Sequence, residues 1–411
     1  MGLKRFFSKF LGLANVVVED VEWGALLFAR QLTVKLRPAW RRPRCGTCGR
    51  KAKRLHGLVG KKRSWRHLGP FGVRLTLSCD VFRVLCRSCG VKTMSVPWAR
   101  TGSVFTRAFE DEVAWFVQRT TKDATAKYFR LTWATVGRIA KRVVEEKLDG
   151  KLLRNLRLIG VDEISYGRPQ KYLTVVVDHE RGRVIWSAEG QSAATLGRFF
   201  SEIGAQERRR IEVVSMDMDS AFEKAVREWV PNAKIVFDRF HVVQLLGKAV
   251  DEVRREQARS LESEERSDLK RSRFALLKNP WNLTRREKEK LSIVATTNRP
   301  TYRAYLLKEG FQEIYDAPTP EEADTAFREW YGWARRSKLD PFRRVAETLK
   351  SKWEGVRRFL ECGLTNGPVE GWNSKIRMIS HRAFGFHSAE ALVAMIMLCC
   401  SGIVIDPLGY A

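Results

Sequence analysis

The 411-residue sequence predicts a multidomain α/β protein whose sheet carries acids where its strands end. Three observations point there. Between Glu212 and His241 (EVVSMDMDSAFEKAVREWVPNAKIVFDRFH) an apolar run closes on Asp217 and Asp219, a helical pattern follows, and after Pro231-Asn232 a second apolar run closes on Asp238. Two Cys-x-x-Cys pairs, Cys45/Cys48 and Cys86/Cys89, stand near the N-terminus. From about Val253 to Phe359 the chain is strongly charged, with Arg and Glu at helix-neighbour spacings and Trp330, Trp333 and Trp353 marking buried faces. The chain accordingly divides into residues 1–100 (strands and a metal module), 101–150 (a helical unit), 151–252 (the first part of the core), 253–360 (an all-helical insertion) and 361–411 (completion of the core).

The 75 Lys and Arg against 47 Asp and Glu leave a formal charge of +28, which points to a polyanion, by default nucleic acid, rather than a generically basic surface. The eight cysteines do not read as a disulfide framework, since five cluster before residue 90 and Cys399-Cys400 lie in an apolar run, so a reducing cytoplasm is expected. The start, MGLKRFFSKFLGL, soon meets Glu19, Asp20 and Glu22, which argues against a secretory signal. Ala391 to Ile405 is apolar but shorter than the about 20 residues of a membrane span, so a buried terminal helix and no membrane partner are expected.

In chain order, Asn15 to Arg37 alternates as two strands leading into the cysteines. Paired Cys-x-x-Cys turns each supply two thiolates, which a closed tetrahedral zinc site requires, and the spacing predicts one structural Zn²⁺ held by Cys45, Cys48, Cys86 and Cys89. The long gap between the pairs calls for an inserted hairpin, for which Arg74 to Leu85 offers an alternating strand; His56, His67 and Cys79 are substitute ligands. Around the module Arg37, Arg41, Arg42, Arg44, Arg50, Lys51, Lys53, Arg54, Lys61, Lys62, Arg63 and Arg66 interleave with Trp40 and Trp65, a pattern that suits phosphate contact, notably through Lys62 and Arg63. Phe105 to Leu148 reads as three helices capped by Thr121 and Thr132, with Ala124, Phe129, Val136, Ile139 and Val143 as their common core.

The core begins at Arg157 to Asp162, an apolar run ending on an acid, followed by Lys171 to Asp178 and Arg183 to Ala188 as adjacent strands and a helix from Ala194 to Arg210. Glu163 points to the other face from Asp162, and Asp219 shares a face with Asp217 while also suiting the cap of the next helix. Far downstream Asn366 is placed to cap a helix with Pro368 near its first position and Glu370 in its first turn. Three strands, helix, strand, helix, strand, then a later helix bearing an acid is the order of an RNase H-like core. There two strand acids and a helical acid hold two divalent metals for in-line phosphoryl transfer. Asn373, Lys375 and Arg377 after Glu370 suit a nucleic-acid backbone running through such a site. The helical stretch before it is either a spacer or a DNA grip and dimer contact.

The pieces GVDEIS, SMDMDSAF, PNAKIVFDRFHVV, RFALLKNPWNLT and NGPVEGWNSKIRMISHRAFGF resemble bacterial insertion-sequence transposases of the DDE type, in the ISL-three group, over about Val16 to Leu398. The resemblance implies an RNase H-like catalytic core with a large helical insertion, and Asp162, Asp217 and Glu370 as a triad holding two Mg²⁺. It implies that the helical unit is a helix-turn-helix whose second helix meets the major groove through Trp133, Thr135, Arg138 and Arg142, although the turn holds Phe129-Arg130-Leu131 without the usual glycine. Asp238-Arg-Phe-His241 repeats an Asp/Cys-x-x-His signature of several transposase groups, in which His241 orients a carboxylate, touches the scissile phosphate or moves a proton. The activity implied is binding of terminal inverted repeats, hydrolysis of a phosphodiester at the element end and joining of the 3′-hydroxyl to target DNA, by a homodimer or larger assembly on double-stranded DNA. Two rival readings are a DNA-binding regulator without catalysis and a nuclease without strand transfer.

Overall fold

The computed structural model describes residues 3–26, 29–55, 60–69, 73–167, 170–383 and 385–407. These form two compact units, Met1–Asp149 with Arg382–Ala411, and Gly150–His381.

In the first unit a short helix, α1 (Leu3–Phe10), leads into β1 (Val16–Leu26) and β2 (Ala29–Pro38). β3 (Lys53–Arg54), β4 (Lys61–His67), β5 (Arg74–Val81), β6 (Arg83–Cys86) and β7 (Gly90–Thr93) follow. They make a four-stranded sheet in the order β1-β2-β5-β4 and a three-stranded sheet in the order β3-β6-β7. The run from Arg74 to Leu85, expected as one strand, is two. β5 buries Leu75, Leu77, Cys79 and Val81 at every second position, and at Phe82 the chain passes into the other sheet. Trp65 lies in this core, edge-on to Trp98 with ring centroids 5.6 Å apart, so it does not interleave with the exposed cations as expected.

Three helices follow in this unit: α2 (Arg107–Arg119), α3 (Lys122–Phe129) and α4 (Trp133–Lys147). Thr121 and Thr132 accept from the amides of Ala124 and Thr135, closing the first turns of α3 and α4. Phe129, Val136, Ile139 and Val143 are buried between the helices, but Ala124 is exposed. The helical period puts Lys122, Thr125, Ala126 and Phe129 on the inner face instead. Arg130 takes the position a glycine would fill, with φ 51° and ψ 54°, a left-handed conformation that costs a non-glycine residue about 1 kcal/mol or more.

The second unit is built on β8 (Leu158–Gly167), β9 (Lys171–Asp178), β10 (Arg183–Glu189), β11 (Val213–Met216) and β12 (Lys234–Phe237), with α5 (Ala193–Arg208) and α6 (Ser220–Trp229) between them. The sheet order is β10-β9-β8-β11-β12; β8 to β10 form an antiparallel meander, and β11 runs parallel to both β8 and β12. Six successive residues of β9, Leu173 to Asp178, are buried, as in a strand covered on both faces.

From Arg239 on, the described chain of this unit is helical: α7 (Arg239–Arg259), α8 (Ser263–Arg271), α9 (Arg273–Leu277), α10 (Arg285–Thr297), α11 (Arg299–Ile314), α12 (Pro320–Arg336), α13 (Asp340–Cys362) and α14 (Gly367–Arg382). α7 packs on α11 and α13, and α13 lies on β12. Gly355 makes that last contact possible, because a Cβ there would sit 2.5 Å from the Phe237 ring. Trp330 is buried and Trp353 half-buried, with its Nε1 donating to Asp324, while Trp333 is 37% exposed and marks no buried face.

The segment 361–411, expected to complete the core as one piece, is divided. α15 (Ala389–Cys400) is apolar on nearly every side and packs on α4 and α2 of the first unit, where Gln118 Nε2 donates to Leu398 O (2.7 Å) and Ile403 O (3.2 Å). None of the described helices is long and apolar enough to cross a membrane.

Candidate active site

Asp162 lies in the middle of β8, not at a strand end as expected, and register brings it to the other acids. β11 pairs with β8 from Val213↔Leu158 to Ser215↔Gly160, and with β12 from Val213↔Lys234 to Met216↔Phe237. Continued past Met216, the same register puts Asp217 level with Asp162 and beside Asp238, whose amide donates to Met216 O at 3.0 Å. One turn into α7, His241 Nε2 lies 2.8 Å from Asp217 Oδ1 and 3.9 Å from Asp238 Oδ2. Asp238 opens α7 but makes no capping hydrogen bond with its side chain.

The fourth acid arrives on α14, which approaches the sheet at Gly160. A Cβ there would meet Val369 at 2.4 Å and the His179 ring at 2.7 Å. A hydrogen-bond chain anchors the start of α14: Ser215 Oγ donates to Asn366 Oδ1 (2.7 Å) and shares a second contact with His179 Nε2 (2.7 Å). Asn366 therefore binds the sheet rather than capping its own helix as expected. Burial pushes the His179 imidazole down to about 4, so it is neutral near pH 7. On α14 Glu370 is half-buried, and one turn later the buried Asn373 donates through Nδ2 to Asp162 Oδ2.

Burial, then the Asp217 charge, pushes the Asp162 carboxyl up to about 7. Burial also raises Asp238, and burial together with Asp238 raises Glu370. Burial works to lower the His241 imidazole, but Asp217 first, then Asp238 and Asp162, hold it above its ordinary value. Asp238 Oδ2 and Glu370 Oε1 are buried oxygens without a hydrogen-bond partner among the described residues. Mutually repelling carboxylates with free lone pairs fit a hard divalent cation, which takes oxygen ligands and offsets the repulsion. Asp219 is committed elsewhere, since its Oδ1 accepts from Ala221 N (2.7 Å) and Phe222 N (3.1 Å) at the start of α6.

The residues expected to touch DNA fall into two groups. Lys62, Arg63, Arg138, Lys375 and Arg377 are exposed, Lys62 and Arg63 on the edge strand β4 and Arg138 on α4. Others are engaged within the protein. Arg142 Nε donates to Glu110 Oε1 at 2.8 Å, and Glu110 is fully buried and also holds Arg100 and Ser103. Trp133 lies beneath Lys122 Nζ, 3.3 Å from the ring centroid, and edge-on to His387. Thr135 Oγ1 contacts Thr132 Oγ1 and accepts from Arg138 Nη2 at 3.0 Å. Asn373 faces Asp162, where DNA contact had been expected.

In the metal module the four sulfurs of Cys45, Cys48, Cys86 and Cys89 lie within 4.8 Å of one another, with Cys48 and Cys86 3.5 Å apart. Gly49 and Gly90, at φ 69° each, turn the chain after the two pairs. The amides of Cys48 and Thr47 bring the Cys45 thiol down to about 6, favouring the thiolate. The substitute ligands stand apart: His67 bonds to Thr106 Oγ1 (2.8 Å), and Cys79 is buried in β5, its thiol pushed up to about 12 by burial. His56 lies outside the described residues.

Asp238, expected as the acid that closes the second strand and as part of an Asp-x-x-His signature, was left out of the metal-holding acids, yet it stands beside Asp217. The signal was present, because both acids close strands of one parallel pair. The Asn373 contact to Asp162 and the Ser215–Asn366 link join distant segments and left no local mark.

A family model described as a transposase, of the ISL3 DDE type, matches residues 159–396, and one described as the helix-turn-helix domain of transposase family ISL3 matches residues 94–144. The chain is 38% identical over 432 residues to the transposase for insertion sequence element IS1557 of Mycobacterium tuberculosis, covering 97% of this chain and 96% of that protein. It is 29% identical over 391 residues to the transposase for insertion sequence element IS1001 of Bordetella parapertussis, covering 94% and 96%.

Proposed function

Because the chain belongs to the ISL3 family of DDE-type transposases, we propose that it binds the terminal inverted repeats of its element through the first unit, and cleaves and joins DNA strands at Asp162, Asp217 and Glu370. The strand order β10-β9-β8-β11-β12, with a parallel β8-β11-β12 half, supports an RNase H-like core, and the helices between α7 and α14 read as its insertion. The observation that carries the catalytic reading is the gathering of Asp217, Asp238 and His241, whose donor atoms lie within 4.8 Å of one another, with Asp162 tied to α14 through Asn373 and Glu370 in the first turn of that helix.

Two Mg²⁺, when bound, lower the barrier to attack by water and then by the 3′-hydroxyl, and stabilise the leaving oxygen. The rest is done by the chain. Asp162, Asp217 and Glu370 supply the oxygens that hold the cations. Asn373 fixes the orientation of Asp162. Arg377 and Lys375, exposed on α14 beyond Glu370, hold the DNA backbone over the site. In the first unit Cys45, Cys48, Cys86 and Cys89 would hold a structural zinc through four thiolates.

The test is Mg²⁺-dependent cleavage and joining of labelled element-end duplex by Asp162→Asn, Asp217→Asn and Glu370→Gln. Each is expected to abolish both reactions while DNA binding and thermal stability persist. Robust cleavage by Asp217→Asn would overturn that assignment. Cleavage without joined product in the parent protein would identify a nuclease, and neither product in an end-binding protein would identify a regulator.

A further inference from the structure

We propose that Asp217, Asp238 and His241 form a divalent-cation site in which the imidazole nitrogen of His241 is itself a ligand, giving this pole of the active centre a preference for Mn²⁺ over Mg²⁺. The proposal rests on the catalytic reading above and adds Asp238 and His241 to the carboxylates already assigned.

The three ligand atoms lie within 4.8 Å of one another. The separations, 2.8 Å from His241 Nε2 to Asp217 Oδ1 and 3.9 Å to Asp238 Oδ2, suit donors around one ion. Octahedral ligands at about 2.1 Å stand roughly 3.0 Å apart when adjacent and about 4.2 Å apart when opposite. Asp238 supplies the independent sign. Its side chain is 4% exposed and leaves Oδ2 without a hydrogen-bond partner among the described residues. Buried carboxylate oxygens are seldom left unbonded, so the retention of this one beside two other donors points to a ligand. The geometry is also built in, since the parallel register of β11 and β12 sets the two aspartates side by side and the first turn of α7 returns His241 over them.

The donor chemistry selects the ion. Carboxylates alone suit Mg²⁺, Ca²⁺ and Mn²⁺, whereas an imidazole nitrogen shifts affinity along the first-row series away from Mg²⁺. The four-thiolate set does not compete for Mn²⁺, because its soft ligands favour zinc.

The experiment counts bound Mn²⁺ on the full-length protein by electron paramagnetic resonance of the free ion, with Mg²⁺ as competitor and no DNA. His241→Gln is expected to weaken Mn²⁺ binding about tenfold or more while changing Mg²⁺ competition far less, and Asp238→Asn to weaken both ions. Unaltered circular dichroism would confirm that each variant is folded. An unchanged Mn²⁺ affinity in either variant, or equal losses for both ions in His241→Gln, would overturn the proposal and leave a histidine–aspartate ion pair. The two readings fail separately: cleavage retained by Asp162→Asn overturns the triad, and an undiminished Mn²⁺ preference in His241→Gln overturns this site.

Discussion

Asn373, one helical turn beyond Glu370, donates through Nδ2 to Asp162 Oδ2, so the helix that carries one acid also orients another 211 positions away in the chain. Asn373 is 3% exposed and cannot meet DNA without leaving this contact. Asn373→Ala is therefore expected to raise the Mg²⁺ concentration needed for half-maximal cleavage by about tenfold or more, with end-DNA affinity unchanged. A loss of DNA affinity with an unchanged metal requirement would return Asn373 to the DNA surface.

The acids of the site oppose folding in the absence of a cation. Asp162 sits near 7 in the folded chain against 3.8 ordinarily, so the folded state holds its proton more tightly than the unfolded state does. Its stability contribution is present at low pH and is lost as pH climbs through that window. Without divalent ions, Asp162→Asn is expected to raise Tm at pH 8 by a few degrees and to leave it nearly unchanged at pH 4. Scanning calorimetry at the two pH values checks this, and a variant equally stabilised at both would point to packing in place of charge.

The four cysteines predict about one zinc per chain by elemental analysis. Cys45→Ser should reduce that content and loosen the three-stranded sheet, which has little apolar core besides Val84. Active protein purified free of zinc, with all four thiols titrating, would remove the metal from the module.

On α4 the two arginines are expected to part company. Arg138 is exposed, and Arg138→Ala should narrow the gap in affinity between end duplex and scrambled duplex. Arg142 is bound to buried Glu110, and Arg142→Ala should cost roughly 1–3 kcal/mol of stability, read by urea unfolding. Lys62→Ala should weaken both duplexes alike and flatten the salt dependence of binding. Competition binding at two salt concentrations separates these cases, and equal affinity of the parent for both duplexes would move end recognition away from the first unit.

The sequence by itself determined what local pattern can encode. Two-residue alternation marked β1 and β2, Thr121 and Thr132 announced the starts of α3 and α4, and the paired Cys-x-x-Cys turns assembled one sulfur cluster. The strand–helix–strand unit from Glu212 to His241 was equally legible, because strand ends, helix period and turn residues all lie within one short window. What required tertiary structure was every relation set by pairing between distant segments. Asp162 was taken for a strand end because apolar residues stop there, yet β8 continues to Gly167, since its partner β9 supplies hydrogen bonds whatever the polarity of the side chains. Asp238 became the neighbour of Asp217 only through the parallel register, and Asn373 turned inward only because Gly160 lets α14 press against the sheet. In the same way Arg142 and Trp133 read as free surface residues until Glu110 and Lys122, from other helices, were found against them. Burial of a charge or an aromatic ring depends on what the rest of the chain brings to it, and periodicity within one helix carries no record of that partner.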